Sequence, residues 1–562
     1  MKKITKLISL SLITSSSLLA ATPNIGDAVK QIQVPKEVQK KKTPLIEIGG
    51  VKKYAPVMKD DKSGKTIFVK SFEIEGAVHI DESTLQNLIS SYTKKDLNFN
   101  QLQEVTSIIT KYYRSKNYFV ARAYLPVQDI NKNNGIIKIT IIEGNYGKFN
   151  LKNNSLVKDS IVQGMLDDVK KRGNVVSANT LERGMLIIND TPGVKVTSAD
   201  IKPGIDVGTS DFDITTQETK RFDGYILADN YGSRYTGKNR VMAGVNINSP
   251  FNIGDKISLS GLLSNKSDLK NGRLAYSAPL MSNGLRGELS YSKTTYALGD
   301  KYSNLDAKGN STSLDATLTY PIIRTRLENL NASLNIAKKD LKDEINAQDD
   351  TTKKDVKSLR LGLDYDKSYL AFNLPSSSKV SFNYTYGKLS FDDASKEADD
   401  EAGANTNGNY SKINIDLSHS INFTEKLSLD TSLNLQYALS HKNLDGSEDL
   451  SIGGAYGVKL YPDSEVSAEN GYIFNIEAKY RLPDINSLTN TVGIFYDRGR
   501  AFMANNNVGF ESRSLQDVGV GYYASYKDFF GQVQVAWNVN SSPVTSEPDR
   551  NSRVLFQGGW VF

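Results

Sequence analysis

Two hydrophobic patterns divide the chain near Arg221. Before that point apolar residues recur at the three- and four-residue spacing of amphipathic helices, in segments that alternate with short apolar runs. Beyond it apolar and polar residues alternate with period two to the last residue, which predicts strands with one apolar and one polar face. Clear examples are VMAGVNI from Val241, RGELSYS from Arg286, LNASLNI from Leu330, VSFNYTY from Val380 and LSLDTSLNLQY from Leu427.

The helical part of the chain predicts two small mixed α/β units, residues 66–144 and 145–220. In the first, IFVKSFEIEG predicts one strand with Phe68, Phe72 and Ile74 on a common face. Two helices and then two strands follow. The first helix has Leu85, Leu88 and Ile89 on its apolar face, and the second has Leu102, Val105, Ile109 and Tyr112 on its apolar face. The second unit repeats the scheme more loosely. Strand edges in such units are able to accept an extended peptide, and an inert spacer role is equally compatible with the pattern.

Residues 221–562 contain sixteen alternating segments joined by connections that are alternately short and long. An even number of long strands, apolar on one face and polar on the other, is typical of a transmembrane antiparallel β-barrel with a polar lumen. A soluble all-β repeat domain is the alternative. Long polar stretches at 338–354 and 392–409 are expected to be surface loops. The longest connection, at about 441–471, contains an ordered-looking motif of its own. The charged residues expected to face the lumen are Arg286, Glu288, Lys412, Asp416, Glu477 and Lys479.

The chain stops on a strand, VLFQGGWVF. Aromatic residues at alternate positions and a terminal phenylalanine are what bacterial outer-membrane barrels typically display. Phe556, Trp560 and Phe562 are therefore expected to act as the barrel assembly signal.

The first 65 residues predict export followed by a linker. Residues 1–21 combine lysines, a short apolar stretch and small residues at its end, the pattern of a secretory signal peptide. In residues 22–65, Ile25, Val29 and Ile32 fall on one face of a short helix, and a charged extended linker follows. A disordered exported tail explains this segment equally well.

The composition gives little support for catalysis or for metal and cofactor binding. The chain has no cysteine and only three scattered histidines, so we expect no catalytic activity, no cofactor and no metal. A net charge of +6 from 69 basic and 63 acidic residues is too small to indicate nucleic-acid binding. A mean hydropathy of -0.41 excludes a bundle of membrane-spanning helices.

Two mixed units before one barrel resemble the POTRA-plus-barrel architecture of the BamA-like superfamily. The finer resemblance is to the two-partner secretion outer-membrane transporters (TpsB) of the ShlB/FhaC/HecB haemolysin activation/secretion type. The motifs that carry it are KSFEIEGA, KNYFVARAYLP and IIEGNYGK in the first unit, LERGMLIINDTPGVKV in the second, and DNYGSRYTG, IGGAYGVKLYP and FYDRGRAF in the barrel.

The resemblance implies an outer-membrane barrel of 16 strands with two POTRA domains in the periplasm. It also implies a large unfolded TpsA-like exoprotein as partner, a surrounding outer-membrane lipid and insertion by the barrel-assembly machinery. Residues 25–33 would be a plug helix in the pore. The long loop would fold into the barrel and pair with its wall, with lysine at position 459 where the family usually has arginine. The residues of this lumenal latch are Gly457, Val458, Lys459, Tyr461, Pro462, Asp497 and Gly499.

Three other functions compete with export of a single partner. A BamA-like assembly factor usually carries more POTRA domains than the two that fit here. A passive porin lacks such domains, and a nutrient receptor carries a single plug domain instead. A surface enzyme would need a recognisable nucleophile or metal motif. The sequence leaves the identity of the exported partner open.

Overall fold

The computed structural model of the protein describes residues 23–32, 48–49, 65–129, 134–265, 268–463, 465–505, 510–539 and 542–562. The predicted signal peptide and most of the predicted linker lie outside these residues. The described N-terminal part contains a short helix, α1 (Ile25–Lys30), and a two-residue strand, β1 (Ile48–Gly49).

The first mixed unit has five strands and two helices. Their bounds are β2 (Thr66–Val69), β3 (Ser71–Glu75), α2 (Glu82–Ile89), β4 (Lys95–Asn98), α3 (Phe99–Ser115), β5 (Arg122–Tyr124) and β6 (Ile136–Ile142). Strands β3, β6 and β5 form one sheet, and β2 and β4 form a separate ribbon. Helix α3 begins at a capping box in which the side chains of Asn98 and Gln101 bond to each other's backbone N–H groups.

The expectation of one continuous first strand is wrong. The chain breaks at Lys70, whose N–H donates to the carbonyl of Gly135, and β2 and β3 belong to different sheets. The break shifts the alternation by one residue, so Val69 is buried with Phe72 and Ile74 while Phe68 is exposed. Strand β4 was also missed, and in α3 the fully buried tyrosine is Tyr113 rather than Tyr112.

Glu143 ties the first unit together at the end of β6. Its carboxylate accepts hydrogen bonds from the backbone N–H groups of Val78 and His79, from the Tyr113 hydroxyl at 2.9 Å and from the His79 ring at 2.6 Å. Burial alone raises the pKa of Glu143, but these hydrogen bonds to the ionised form outweigh it and hold the pKa below its usual value of 4.5. Burial and the same carboxylate raise the pKa of Tyr113.

We expect Glu143→Gln to lower the free energy of unfolding of the first unit by about 1–3 kcal/mol. The glutamine side chain has only one oxygen that accepts hydrogen bonds, whereas the carboxylate accepts them at two. Since the folded pKa is depressed, the contribution of Glu143 is present above pH 4.5 and is lost as pH falls through the lower folded pKa. Hydrogen exchange in residues 65–129, corrected for intrinsic rates, measures both effects. Glu73→Gln, at a half-exposed position, is the control. Equal protection in the two variants would contradict the role of Glu143.

The second mixed unit packs two helices on a four-stranded sheet. Its elements are β7 (Asn145–Asn154), α4 (Asp159–Lys171), α5 (Ala178–Asp190), β8 (Lys195–Pro203) and β9 (Thr209–Gln217). The strand order is β1-β8-β9-β7, with Ile48 paired in parallel to Ala199 and Gly49 to Asp200. The outer edge of β8 is thus occupied at these two positions by the chain's own N-terminal segment.

Sixteen antiparallel strands close into a barrel, as the alternation predicts. Their bounds are β10 (Phe222–Asp229), β11 (Arg240–Asn248), β12 (Lys256–Ser264), β13 (Leu269–Pro279), β14 (Arg286–Ala297), β15 (Ala307–Arg324), β16 (Glu328–Ile345), β17 (Asp350–Ala371), β18 (Leu374–Phe391), β19 (Gly408–Asn422), β20 (Leu427–Ala438), β23 (Asn470–Arg481), β24 (Thr489–Phe502), β25 (Arg513–Tyr526), β26 (Phe529–Asn538) and β27 (Ser552–Val561). Two short strands, β21 (Leu450–Ser451) and β22 (Ser467–Ala468), lie in the long connection between β20 and β23. Among the described residues, the structure has no helix long and apolar enough to cross a membrane.

The two faces of the barrel differ in composition as the alternation requires. Outward residues are apolar and exposed, for example Val241, Leu289 and Ile494. Their inward neighbours are polar or buried, for example Met242 and Ser290. The exposed apolar face is the surface that lipid covers in a transmembrane barrel.

The structure corrects two predicted loops. Residues 338–354 are strand except for the turn at 346–349, because β16 and β17 continue as a charged hairpin beyond the apolar part of the wall. Residues 392–409 contain a short helix, α6 (Ala394–Ala402).

The second unit docks on the turns at one end of the barrel. Arg324 makes two hydrogen bonds to the Asp190 carboxylate, at 2.6 and 2.9 Å. Buried Arg183 donates to the carbonyls of Pro321, at 2.5 Å, and Ile322, at 3.3 Å, near the end of β15.

We expect Arg183→Met to loosen this docking by about 1–3 kcal/mol, because two backbone carbonyls near the end of β15 lose their charged donor. Limited proteolysis of the full chain in detergent should then cut faster between the second unit and the barrel. Arg122→Met, at an exposed position on β5 of the first unit, is the control. Identical cleavage of both variants and of the unchanged protein would show that Arg183 does not hold the docked position.

Candidate functional site

A cavity of about 1550 Å³ fills the lumen between the second unit and the middle of the barrel. Asp190 and Thr191 of the second unit lie at one end, and Gly457 and Lys459 of the long β20–β23 connection at the other. Most of the lining between them is polar. Of the charged residues predicted to face the lumen, those that line the cavity are Arg286, Asp416, Glu477 and Lys479. Glu288 pairs with Arg273 on the wall, and Lys412 is buried beneath the long connection.

The β20–β23 connection folds into the barrel rather than over its surface. Ile452, Val458, Leu460 and Tyr461 are completely buried. They pack against inward residues of the wall, including Phe495, Leu515 and Ala536. The connection therefore behaves as part of the barrel core.

Lys459 and Asp497 meet at the tip of this connection. The Lys459 ammonium lies 2.7 Å from the Asp497 carboxylate, which is completely buried, and 4.2 Å from the centre of the Phe495 ring. The Asn475 amide donates to the other Asp497 oxygen at 2.7 Å and to the carbonyl of Gly457 at 3.0 Å. Every polar atom of the pair thus has a partner, as a buried ion pair requires.

Two residues of this site were missed from sequence. Asp517 on β25 accepts a hydrogen bond from the backbone N–H of Leu460 at 2.6 Å, and Arg553 on β27 donates to the carbonyls of Lys459 and Tyr461. Both residues lie at positions that the period-two alternation of their strands places on the inner side of the barrel. This alternation is the signal that would have indicated them. Nothing in their local motifs points to the loop.

The remaining residues of the predicted latch allow the connection to pack closely. A Cβ on Gly457 would lie 2.5 Å from the Ile452 carbonyl oxygen, so this position has no room for a larger residue. A Cβ on Gly499 would lie 3.0 Å from the Ile452 side chain, a tight contact that a larger residue would make only if Ile452 shifted. Tyr461 donates its hydroxyl to the carbonyl of Ser542 at 2.5 Å. Pro462 lies at the base of the turn, where its carbonyl would be 2.1 Å from a Cβ on Gly453.

Helix α1 lies inside the barrel at the end remote from the mixed units. Ile25 and Ala28 are buried in a cluster of inward side chains from strands around the barrel, and Val29 and Ile32 pack against it. Of the predicted apolar face, only Ile25 is fully buried, and Ala28 was missed because its side chain is small.

Polar contacts hold α1 at both ends. The N–H of Ile25 donates to the Asp343 carboxylate at 2.9 Å. Arg240 donates to the carbonyl of Gln31 at 2.6 Å while it binds the Asp229 carboxylate with its other nitrogens at 2.8 and 3.0 Å. The side chains of Arg240 and Asp229 are almost fully shielded from solvent.

The predicted assembly signal lies on the outer face of the closing strand. Phe556 and Trp560 point outward and are partly exposed, and the Trp560 ring lies 4.6 Å from that of Phe562. Strand β27 pairs with β10 only from Tyr225–Val561 to Asp229–Gln557, whereas β10 pairs with β11 along its whole length. The closing seam is therefore the shortest strand pairing of the barrel.

Comparison with known families matches two parts of the chain. Residues 208–523, more than half of the protein, match the family described as haemolysin secretion/activation protein ShlB/FhaC/HecB. Residues 67–144 match the ShlB-type POTRA domain.

Similar proteins match over almost the whole chain. The haem/hemopexin transporter protein HuxB of Haemophilus influenzae is 26% identical over 524 residues, which cover 92% of this chain and 91% of HuxB. The solved structure of CdiB from Escherichia coli superimposes with a TM-score of 0.73 at 19% identity and covers 91% of this chain and 93% of CdiB. CdiB from Acinetobacter baumannii gives a TM-score of 0.67 at 17% identity, with 96% and 100% covered.

Proposed function

Because the chain belongs to the haemolysin secretion/activation family ShlB/FhaC/HecB, and is thus an outer-membrane two-partner secretion transporter with its POTRA region in the periplasm, we propose how it handles its partner. A large, unfolded TpsA-like exoprotein binds the two mixed units and then crosses the barrel lumen to the cell surface. The protein contributes no catalysis and uses no cofactor.

The observation that carries this proposal is the position of the polar cavity. It lies directly between the docked second unit and the inward-folded loop, so a chain released from the mixed units would enter it without leaving the protein. Most of the residues that line this space are polar or charged, and such residues keep it hydrated.

Recognition in the mixed units is proposed to use strand addition. The β8 edge already carries β1, which leaves β7 of the second unit and the outer strands of the first unit, β3 and β5, as the positions proposed to accept an extended segment of the partner. The outward apolar face of the barrel is proposed to contact outer-membrane lipid. The aromatic residues of β27 are proposed to be recognised by the barrel-assembly machinery.

Deletion of the gene followed by comparison of secreted and outer-membrane proteins tests the function. Loss of one large secreted protein, restored by the intact gene, supports the proposal. Loss of many outer-membrane barrels would instead identify an assembly factor of the BamA kind. An unchanged secretome would contradict export and favour a passive pore.

A further inference from the structure

A second set of ion pairs holds the β20–β23 connection, well before Lys459 along the chain. The segment 443–449 enters the barrel beside the wall, and two of its three carboxylates, Asp445 and Glu448, meet three lysines of the inner wall. Lys339 lies 2.7 Å and Lys412 2.9 Å from Glu448, and Lys354 pairs with Asp445. Because the lysines come from β16, β19 and β17, the segment is attached across a broad arc of the wall.

The backbone of this segment is held as firmly as its side chains. The carbonyl of Glu448 accepts from Lys412 at 2.6 Å and from the Gln436 amide at 2.9 Å. The carboxylates of Asp445 and Glu448 are each no more than one-tenth exposed. Breaking one partner of such a buried pair is costly, because the other charge is left in a site that water does not reach.

Helix α1 rests directly on this segment. A Cβ on Gly26 would lie 2.5 Å from the backbone nitrogen of Ser447 and 2.6 Å from the carbonyl carbon of Gly446. The glycine allows a backbone-to-backbone approach that any larger residue would prevent. The helix therefore has one side against the segment and its first N–H on Asp343 of the wall.

We propose that Lys339, Lys354 and Lys412 form a lysine clamp that holds segment 443–449 against the wall and thereby keeps α1 inside the lumen. The clamp is a positioning device distinct from the Lys459–Asp497 pair, which holds the tip of the same connection. The proposal rests on the proposed export function and on the expectation, implied by the family resemblance, that α1 closes the pore. Opening the pore for a chain in transit then requires this segment to leave its lysines.

Charge reversal in the full-length protein, reconstituted in planar lipid bilayers, tests the clamp. Lys354→Asp and Asp445→Lys should each raise the frequency of wide openings on the order of tenfold. The double variant, which restores the pair with opposite polarity, should return to within about twofold of the unchanged protein. Lys338→Asp is the matched control, since Lys338 lies on β16 and forms an exposed pair with Asp340.

A second measurement does not depend on conductance. The chain has no cysteine, so Ala28→Cys introduces a unique thiol in the buried face of α1. A membrane-impermeant maleimide should label it slowly in the otherwise unchanged protein and on the order of tenfold faster when Glu448→Gln is added, since that change removes charge but keeps size. Heat-dependent gel mobility verifies that each barrel is assembled.

The outcomes separate clearly. Single reversals that leave openings and labelling unchanged would overturn the clamp, as would a double variant that stays open. If Lys354→Asp does not assemble, Glu448→Gln decides, and slow labelling in that variant overturns the proposal. Neither measurement involves a secreted partner, so failure of the clamp and failure of the export function give different results.

Discussion

Lys459→Ala is expected to lower export of the secreted partner on the order of tenfold or more without loss of barrel assembly. The substitution leaves the completely buried Asp497 carboxylate without a cation. A second carboxylate, that of Asp517 on β25, accepts a hydrogen bond from Leu460 in the same connection. Removing one partner of a buried ion pair costs about 3–5 kcal/mol. The inward-folded tip of the β20–β23 connection should then leave its place on the wall. The barrel strands keep their own hydrogen-bond ladders and should remain closed.

Quantifying the partner in culture supernatants measures this effect, with heat-dependent gel mobility as the check on assembly. Lys459→Arg is the informative control, because it preserves the positive charge and places a two-pronged donor opposite Asp497. We expect it to retain export. Full export by Lys459→Ala would show that the pair is not required for transport.

Arg240→Met is expected to raise the conductance of the reconstituted protein toward that of a variant lacking residues 25–33. Arg240 is the donor that joins the end of α1, through the carbonyl of Gln31, to Asp229 on the first barrel strand. Its loss leaves a buried carboxylate unpaired, at a cost of about 3–5 kcal/mol, and releases the end of the helix. The same substitution at Arg273, whose pair with Glu288 is partly exposed, should leave conductance unchanged.

Single-channel recording in planar bilayers decides between the possibilities. If deletion of residues 25–33 opens the pore and Arg240→Met does not, Asp343 and the segment beneath the helix suffice to hold α1. If the deletion itself leaves conductance unaltered, α1 does not close the pore.

Sequence reasoning was most successful where the relevant contacts are local in the sheet. The alternation in VMAGVNI or RGELSYS predicts which side chains face lipid, because neighbouring residues of a strand point to opposite faces. It failed at IFVKSFEIEG, where a hydrogen bond from Lys70 to Gly135 breaks the strand and exposes Phe68. That bond joins residues far apart in sequence, so the local pattern carries no trace of it.

The candidate site shows the same division. Lys459 and Asp497 were predicted through family motifs, and the structure places them 2.7 Å apart. Asp517 and Arg553 carry no motif and were missed, although their place in the period-two alternation is compatible with a lumenal position. Lys354 and Asp445 are 91 residues apart, and an excess of charge in a predicted loop gave no reason to pair them.

By itself the sequence determined the order of the parts, the strand faces and the polar lumen, since each of these follows from periodicity along the chain. The family resemblance implied that a plug helix and the long loop occupy that lumen, but only the tertiary structure decided which side chains hold them there. The barrel must close before strands distant in sequence face one another, and the strand register then places each inward side chain at a particular depth. That closure brings α1, the lysine clamp and the Lys459–Asp497 pair into one interior, which no local pattern encodes.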